Sequence, residues 1–225
     1  MPLKILYEDA TLLVLDKPAG LPIEKAQVLL EQRPSQKELG AERRCGIVHR
    51  LDKDTSGVLL VAKTKELFSF LQQQFKERRV EKKYICLVVG NVKEDKGIIE
   101  TLLGRSPQDR RKQKAYLPEH AQTKNGREAV TLYRVLKRFP QYTLLEITPK
   151  TGRKHQIRAH MVWKSHPIAG DKLYGFKNQP IPEGLNRQFL HASYLKIPLP
   201  NGITKEFSSE LPKDLQEVLQ RIESQ

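Results

Sequence analysis

The sequence has few cysteines, no long apolar run and a shortage of acidic residues. Only Cys45 and Cys86 occur among its 225 residues. Because Cys86 lies inside the apolar run YICLVV, a buried thiol in a reducing compartment is favoured over a disulfide. The longest apolar run is six residues, far short of the roughly 20 that a membrane-spanning helix needs. The opening MPLKILYED already contains acids and lacks the pattern of a secretory signal, so we expect a soluble, cytoplasmic protein without a membrane partner.

The shortage of acids leaves the chain strongly basic. It contains 40 Lys+Arg against 26 Asp+Glu, a formal net charge of +14. Such an excess indicates a polyanionic partner, with nucleic acid first and an acidic membrane surface second. A basic surface that is merely solvated would give the same composition, so charge alone does not decide the function.

Hydrophobic patterns predict strands and helices without strict alternation. No linker rich in Pro, Gly or Ser divides the chain, so we predict an α+β fold with a single domain over residues 1–225. The stretch 91–127 looks loop-rich and basic. Predicted strands lie in KILYEDATLLVLDKP, VLLVAK, KKYICLVVG, EAVTLYRVLKRF and YTLLEITP, and predicted helices in KAQVLLEQ, KELFSFLQQQFKERR, KHQIRAHMVWKS and LPKDLQEVLQRI.

The segment HRLDKDTSG (49–57) crowds acids, bases and hydroxyls ahead of the apolar run VLLVA. It resembles half of a calcium loop, but the twelfth position counted from Asp52 is Lys63, where a bidentate Glu is required. His155 and His160 are five apart, which on a helix separates them by about 140°, and no Cys/His group has zinc spacing. Phosphate-binding glycine loops and nucleophile elbows are absent from the sequence. From residue types alone, a turn aspartate that caps local N–H groups is favoured over a catalytic one.

Five sequence blocks that occur in a fixed order favour the catalytic interpretation of Asp52 instead. They are GIVHRLDKDTSGVLLVAKT (46–64), KKYICLVVG (82–90), TGRKHQIRAHM (151–161), HPIAGDKLYG (166–175) and RQFLHASYL (187–195). Together with the opening ILYEDATLLVLDKPAGL, this series closely resembles the RluA-type pseudouridine synthases, which isomerise selected uridines in ribosomal and transfer RNA. The resemblance implies a catalytic domain with a mixed, mainly antiparallel sheet, flanking helices and a central RNA-binding cleft. It also implies a chain without the S4-type RNA-binding domain that some relatives carry.

The resemblance assigns a catalytic role to three residues. Asp52 matches the family's essential carboxylate, which must be ionised to act as a nucleophile at C1′ or as a base at C2′ of the ribose; both routes stay open. Arg158 matches the arginine whose fixed charge keeps that carboxylate ionised, and Tyr84 matches the tyrosine placed against the uracil ring. Without the motif context, Arg158 would be better interpreted as a helix residue that faces water or phosphate, and a core position for Tyr84 would be as good an interpretation as a catalytic one.

A further set of nine basic residues is expected to bind RNA. Arg50 matches the arginine that fills the space left by the flipped nucleotide. Charge runs are usually solvated faces. The basic runs here flank the motif blocks, so phosphate contacts are the better interpretation; they are KERRVEKK (76–83), RSPQDRRKQK (105–114) and KTGRKHQIR (150–158). The predicted RNA-binding residues are Arg50, Arg105, Arg110, Arg111, Lys112, Lys114, Arg153, Lys154 and His155.

The predicted reaction is a redox-neutral isomerisation, so we expect no organic cofactor and no metal. The expected partner is ribosomal RNA, transfer RNA or both, bound by a monomer. Lys154 departs from the family, which usually has a small hydroxyl residue there, and the role of the segment 22–44 stays open. The alternative function is a catalytically silent RNA-binding or ribosome-assembly factor with the same fold, although a degenerate homologue would be expected to have lost Asp52, Tyr84 or Arg158.

Overall fold

The computed structural model describes residues 3–117 and 126–224. Its strands are β1 (Lys4–Glu8), β2 (Leu12–Lys17), β3 (Ser56–Ala62), β4 (Glu81–Val89), β5 (Lys96–Arg105), β6 (Gln113–Tyr116), β7 (Arg127–Arg138), β8 (Tyr142–Pro149), β9 (Leu190–Pro198) and β10 (Thr204–Ser208). Its helices are α1 (Ile23–Leu30), α2 (Pro34–Leu39), α3 (Lys65–Lys76), α4 (Gln156–Trp163) and α5 (Lys213–Glu223), with a 3₁₀ helix over Ala41–Gly46. The prediction of an α+β fold, with mixed and mainly antiparallel strand pairing, is therefore confirmed.

The chain forms two compact units, and neither is a single continuous stretch. The first unit contains Met1–Lys82 and His191–Leu211, and the second contains Lys83–Leu190 and Pro212–Gln225. The chain thus passes from one unit to the other three times. The interpretation of residues 1–225 as one domain stays a prediction.

In the first unit the strand order is β1-β2-β3-β9-β10. All neighbours are antiparallel except β3 and β9, which pair in parallel at Ser56–His191 and Gly57–Ala192. The turn between β1 and β2 is fixed by the Asp9 carboxylate, which accepts the N–H groups of Thr11 and Leu12 at 2.8 Å. This hairpin confirms the two strands predicted around the Glu8–Asp9 turn.

Both faces of the first unit's central strands are covered, which explains the continuous apolar runs of β2 and β3. On one face, Val58 and Leu60 pack with Leu67 and Leu71 of α3. On the other face, alternate residues of the same strands pack against α1 and the 3₁₀ helix. Helix α3 begins after Thr64, whose hydroxyl oxygen accepts the N–H of Leu67 at 3.2 Å, so its amphipathic stripe starts where the cap is made. The strand buried on both faces and the helix after it are confirmed.

In the second unit the strand order is β4-β8-β7-β5-β6, and every neighbouring pair is antiparallel. Cys86, Tyr133, Leu145 and Ile147 of these strands form a core with Ile157 and Met161 of α4. Cys86 and Cys45 are both buried free thiols, as expected for Cys86. In α5, the predicted stripe is buried at Leu215, Val218 and Ile222, while Leu219 is only partly buried.

The prediction of a loop-rich stretch over 91–127 is wrong in its described part. Strand β5 covers Lys96–Arg105 and β6 covers Gln113–Tyr116, while residues 118–125 lie outside the described part of the chain. Charged residues and a glycine interrupt the apolar pattern of β5, although its inward positions alternate at Ile99, Thr101 and Leu103. Strand pairing with β7, rather than local pattern, determines this element. In residues 3–117 and 126–224, no helix is long and apolar enough to cross a membrane.

Candidate functional site

Asp52 lies in the first unit, in the loop that leads into β3. Its carbonyl oxygen accepts the N–H of Thr55 at 3.1 Å, which closes a turn over residues 52–55. The side chain of Asp52 is partly buried, whereas Arg50 on the same loop is exposed. The loop therefore presents a partly shielded carboxylate two residues after an exposed guanidinium.

A buried lysine connects this turn to the sheet. Lys17 ends β2 and is fully buried, and its ammonium donates to the carbonyls of Pro18, Leu21 and Lys53 at 2.9, 3.0 and 3.0 Å. Three carbonyl oxygens match the three donors of an ammonium group. Because Lys53 directly follows Asp52, this lysine restrains the turn that holds the carboxylate.

Gly57 allows β3 to approach β9 closely. Its φ is +117°, and a Cβ at this position would lie 2.1 Å from the carbonyl oxygen of Ala192. Beside it, the Ser56 hydroxyl is 2.9 Å from Nδ1 of His191, whose Nε2–H donates to the carbonyl of Ser209 at 3.0 Å. The final Ser-Gly of HRLDKDTSG therefore has a structural role: it fixes the strand that follows the Asp52 loop.

His49 packs inside the first unit. Its Nε2 accepts the N–H of Leu60 at 2.9 Å, and its ring stacks on Phe75 at 5.0 Å. Burial, together with the charge of Lys82, lowers the pKa of His49 to about 3. A neutral ring that accepts a main-chain hydrogen bond is a structural group, in agreement with the absence of any predicted catalytic role.

Arg158 lies in the second unit, on α4, and is 7% exposed. Its Nε donates to Oδ2 of Asp171 at 2.7 Å and its Nη2 donates to Oδ1 at 2.9 Å. This is a buried bidentate ion pair, the geometry that a planar guanidinium forms with a carboxylate. Asp171 has no role among the residues predicted from the sequence.

Main-chain groups hold the Asp171 carboxylate in turn. Its Oδ1 accepts the N–H groups of Leu173 and Tyr174, both at 2.9 Å. Gly170 before it has φ +72°, and a Cβ there would lie 2.3 Å from the carbonyl oxygen of Arg187. The tight Gly-Asp turn thus aims the carboxylate at the guanidinium. Burial and the charge of Asp171 raise the pKa of the neighbouring Cys86 thiol, which is consistent with its being inert.

Tyr174 contacts the predicted catalytic residue Arg158 and two of the predicted RNA-binding residues, Lys112 and His155. The Cζ of Arg158 lies 4.9 Å from the centre of the Tyr174 ring, and Nζ of Lys112 lies 5.9 Å from it. The Tyr174 hydroxyl accepts the N–H of Gln113 at 2.6 Å and is 3.1 Å from Nδ1 of His155. Lys112, His155 and Arg158, predicted separately, are therefore brought together around one ring.

The start of α4 is fixed by side-chain amide and hydroxyl groups. Oε1 of Gln156 accepts the Thr151 hydroxyl at 2.7 Å and the N–H of Arg153 at 3.0 Å. Its Nε2 donates to the carbonyl of Val130 at 3.0 Å and to the Thr131 hydroxyl at 2.9 Å. Thr151 and Gln156 thus attach the loop before α4 to β7. This attachment fixes the start of the helix that carries Arg158.

Tyr84 lies on β4 opposite Ile147 of β8 and is partly buried against the second unit's core. A partly exposed aromatic ring can stack on a planar base. Its predicted contact with uracil stays a prediction.

The basic residues between β5 and β6 lie on a tight hairpin. Its loop is closed by main-chain bonds from Ser106 N–H to the carbonyl of Lys112 at 3.1 Å and from Lys112 N–H to the carbonyl of Asp109 at 2.9 Å. Arg111 is bound to Asp109, with Nη2 2.9 Å from Oδ2. The hairpin's predicted RNA-binding residues are exposed except Lys112, which is partly buried; the exposed ones are Arg105, Arg110, Arg111 and Lys114.

The loop before α4 carries the other predicted RNA-binding residues. Nε of Arg153 donates to the carbonyl of Glu128 at 3.1 Å, and Lys154 is exposed. His155 takes the left-handed conformation, with φ +54°, at the residue preceding α4. Within residues 3–117 and 126–224, no group of three or more His, Cys, Asp or Glu side chains could hold a metal ion.

Comparison with known proteins identifies the family. A family model described as RNA pseudouridylate synthase matches residues 11–163, more than half of the chain. The chain belongs to the RNA pseudouridylate synthase family. Ribosomal large subunit pseudouridine synthase D of Nitrosomonas europaea is 40% identical over 99% of this chain and 66% of its own length. The protein of the same name from Borreliella burgdorferi is 39% identical over 95% of this chain and 66% of its own length.

The family's solved structures agree with the fold. Human RNA Pseudouridylate Synthase Domain Containing 4 has a TM-score of 0.75 and 26% identity, covering 98% of this chain and 93% of the human one. Human RNA Pseudouridylate Synthase Domain Containing 1 has a TM-score of 0.74 and 28% identity, covering 100% and 96%. This chain spans just under two thirds of the length of the Nitrosomonas and Borreliella relatives. The RluA-type resemblance is confirmed as family membership.

The matched stretch of the RNA pseudouridylate synthase family contains Asp52, Tyr84 and Arg158, but ends before Asp171 and Tyr174. Both contact Arg158, and the sequence alone did not single them out. The block HPIAGDKLYG contained a signal for them, since Asp171 is its only acid and follows a glycine. What the block could not show is that its carboxylate binds a guanidinium 13 residues earlier on a helix.

Proposed function

We propose that this chain isomerises uridine to pseudouridine in RNA. The observation that carries the proposal is the family match over residues 11–163, within which Asp52, Tyr84 and Arg158 are all present at the motif positions. In the reaction the N1–C1′ bond breaks, the uracil turns, and C5 bonds to C1′. The hydrogen of C5 leaves to water and N1 gains a proton, so atoms and electrons balance without an external oxidant or reductant.

Asp52 is the essential carboxylate of this proposal. It acts on the ribose, as nucleophile at C1′ or as base at C2′, and either role requires the ionised form. Its support is the partly buried position in a turn that the Lys17 ammonium restrains through Lys53. A carboxylate held in one place loses little entropy when the sugar arrives.

Arg158 and Tyr84 complete the catalytic set. The guanidinium of Arg158 supplies a fixed positive charge that favours the ionised Asp52, because a guanidinium never loses its proton near neutral pH. Tyr84 stacks on the flipped uracil, and Arg50 fills the space that the nucleotide has left.

The proposed substrate is large-subunit ribosomal RNA. Relatives 39–40% identical to this chain are named for the ribosomal large subunit, and the net charge of +14 suits a structured polyanion. Transfer RNA, which the resemblance also allows, is the alternative substrate. The basic hairpin and the loop before α4 supply the phosphate contacts in either case.

The test uses RNA from cells that lack the gene, grown with uridine carrying tritium at C5. Purified protein should release tritium to water, because C5 loses its hydrogen when it bonds to C1′. Asp52→Ala should lower the release rate by at least about 10²-fold, the lower range for a single acid–base group. Mapping pseudouridine in the treated RNA identifies the position, which we expect in large-subunit ribosomal RNA.

Asp54→Ala is the matched control, since it removes a partly buried carboxylate from the same turn. It should retain most of the wild-type rate, with an unfolding midpoint near that of Asp52→Ala. Release by Asp52→Ala at the wild-type rate would refute the role of Asp52. RNA binding by the wild-type protein without any tritium release would instead support the silent RNA-binding factor.

A further inference from the structure

Arg158 has a long side chain, and its usefulness in a reaction depends on one fixed orientation. An arginine has four rotatable side-chain bonds and loses much rotamer freedom when it is ordered. The helix alone fixes only the Cα–Cβ direction. Other groups must therefore determine the plane of this guanidinium.

Asp171 determines that plane from one side. Two parallel N–H···O bonds of 2.7 and 2.9 Å make the guanidinium and the carboxylate coplanar. The carboxylate cannot rotate without losing the main-chain bonds from Leu173 and Tyr174. The geometry of a main-chain turn is thus transmitted to the tip of Arg158.

Tyr174 restrains the guanidinium from its face. Its ring centre is 4.9 Å from Cζ of Arg158, within the range of cation–π attraction. The hydroxyl accepts the N–H of Gln113 at 2.6 Å and lies within hydrogen-bond distance, 3.1 Å, of Nδ1 of His155. Bonds at the far end of the ring prevent it from swinging away.

Gln113 also links this site to the basic hairpin. It is the first residue of β6 and directly follows Lys112, whose ammonium lies over the same ring. The position of the hairpin's end and the position of the ring are therefore set by one hydrogen bond. A phosphate held by the hairpin would lie on an element that is directly bonded to the support of Arg158.

We propose that Asp171 and Tyr174 are positioning residues: they hold the Arg158 guanidinium in the orientation that the reaction uses and connect it to the basic hairpin. This inference rests on the proposed function in so far as Arg158 serves the isomerisation. Neither residue needs to touch the RNA. Their effect is on the rate of the bound complex rather than on RNA affinity.

Tyr174→Phe tests the inference with a minimal change, because it keeps the ring and removes only the hydroxyl. The turnover number kcat should fall about tenfold, the factor expected for one net hydrogen bond, while KM for RNA stays within twofold. Asp171→Asn should lower kcat about 10²-fold, as expected for a misplaced catalytic group. The control Tyr142→Phe removes a buried phenol hydroxyl of the same unit outside this cluster and should leave both constants unchanged.

A second readout separates positioning from the proposed function. The Nε–H signal of Arg158 in a ¹⁵N spectrum is assigned by its loss in Arg158→Lys. Its hydrogen exchange should be slow in the wild type and about tenfold faster in Tyr174→Phe, whether or not the protein is active. The wild-type protein could release no tritium while the Arg158 Nε–H still exchanges faster in Tyr174→Phe than in the wild type. That result would refute the proposed function and retain the positioning role of Tyr174.

Two results would overturn the inference. One is unchanged kcat in Tyr174→Phe together with unchanged Arg158 exchange. The other is an equal loss of kcat in Tyr174→Phe and Tyr142→Phe, because it would show only a general loss of stability. Should Asp171→Asn fail to fold, Tyr174→Phe still decides the question.

Discussion

At the scale of single residues, a chain of hydrogen bonds fixes the tautomer of His160. The Gln156 amide donates to the Thr131 hydroxyl at 2.9 Å, so the hydroxyl hydrogen is directed to Nδ1 of His160, at 2.8 Å. The Nε2–H then donates to the Thr101 hydroxyl at 2.9 Å. His160 is fully buried, and burial lowers its pKa to about 4. The neutral ring therefore links α4 to β7 and β5.

This histidine should make the protein less stable in mild acid. Its pKa is lower in the folded state than the ordinary value of 6.5, so the unfolded chain binds the additional proton and stability is lost as pH falls from about 6.5 towards 4. For those two values, His160 should account for about 2 kcal/mol of the drop in the free energy of unfolding between pH 7 and pH 5, and His49, whose pKa is also lowered, should add a similar loss. Urea unfolding at the two pH values measures the drop.

His160→Gln is the comparison for this prediction, because glutamine cannot titrate. It should reduce the loss of unfolding free energy between pH 7 and pH 5 by about 2 kcal/mol, whatever its own stability at pH 7. The contributions of His49 and of the acidic residues, which are common to both proteins, cancel in this difference. An identical pH dependence in the two proteins would contradict a neutral His160.

Residue-scale prediction from sequence succeeds where one local motif carries the information. Asp52 stands in HRLDKDTSG, and the motif alone places it in the loop before a buried strand. Asp171 could not be identified in this way, because its partner Arg158 is reached only through the turn at Gly170 and the packing of α4. The tautomer of His160 could not be predicted for the same reason, because it depends on contacts between α4, β7 and β5.

At the scale of elements, the close approach of β3 and β9 should tolerate no side chain at Gly57. An alanine Cβ there would lie 2.1 Å from the Ala192 carbonyl oxygen, and φ is +117°. Strain and overpacking together should lower the free energy of unfolding by about 2 to 5 kcal/mol. Urea unfolding of Gly57→Ala measures the loss.

Gly202→Ala is the matched control for Gly57→Ala. Gly202 also has a positive φ, of +78°, but nothing lies within 4 Å of the position of its Cβ. It should lose only about 1 kcal/mol of unfolding free energy, from backbone strain. Equal losses at the two glycines would show that the contact with Ala192 has no energetic importance.

Strands and helices were predictable from the sequence where their own hydrophobic pattern shows which residues are buried. The run of β3 and the amphipathic stripe of α3 were read correctly because both lie against large apolar layers. Strands β5 and β6 were not predicted, since their exposed residues are charged and their stability comes from pairing with β7 and with each other. Strand β10, of sequence TKEFS, has only Phe207 buried and depends on β9 in the same way.

At the scale of the whole molecule, the excess positive charge is unevenly available to RNA. Arg111 is held by Asp109, and the hydrogen bonds from its side chain and main chain, together with its charge, lower the pKa of that carboxyl to about 2. Arg110, on the same hairpin, is exposed. The ion pair with Asp109 thus makes Arg111 less available for a phosphate contact than Arg110, although each contributes the same unit to the net charge of +14. The salt dependence of RNA binding can distinguish a phosphate contact from the general effect of net charge.

Arg110→Ala should reduce the slope of log binding constant against log salt by about 0.7 to 0.9, the value for one phosphate contact. The control Lys213→Ala removes the same unit of charge from the start of α5, where the side chain is 89% exposed and 3.9 Å from Glu217. It should leave the slope unchanged, since counterions are released only where a phosphate is neutralised. Filter binding of ribosomal RNA fragments from 50 to 200 mM salt gives both slopes. If the two variants show the same slope, the hairpin acts through net charge and not through a contact at Arg110.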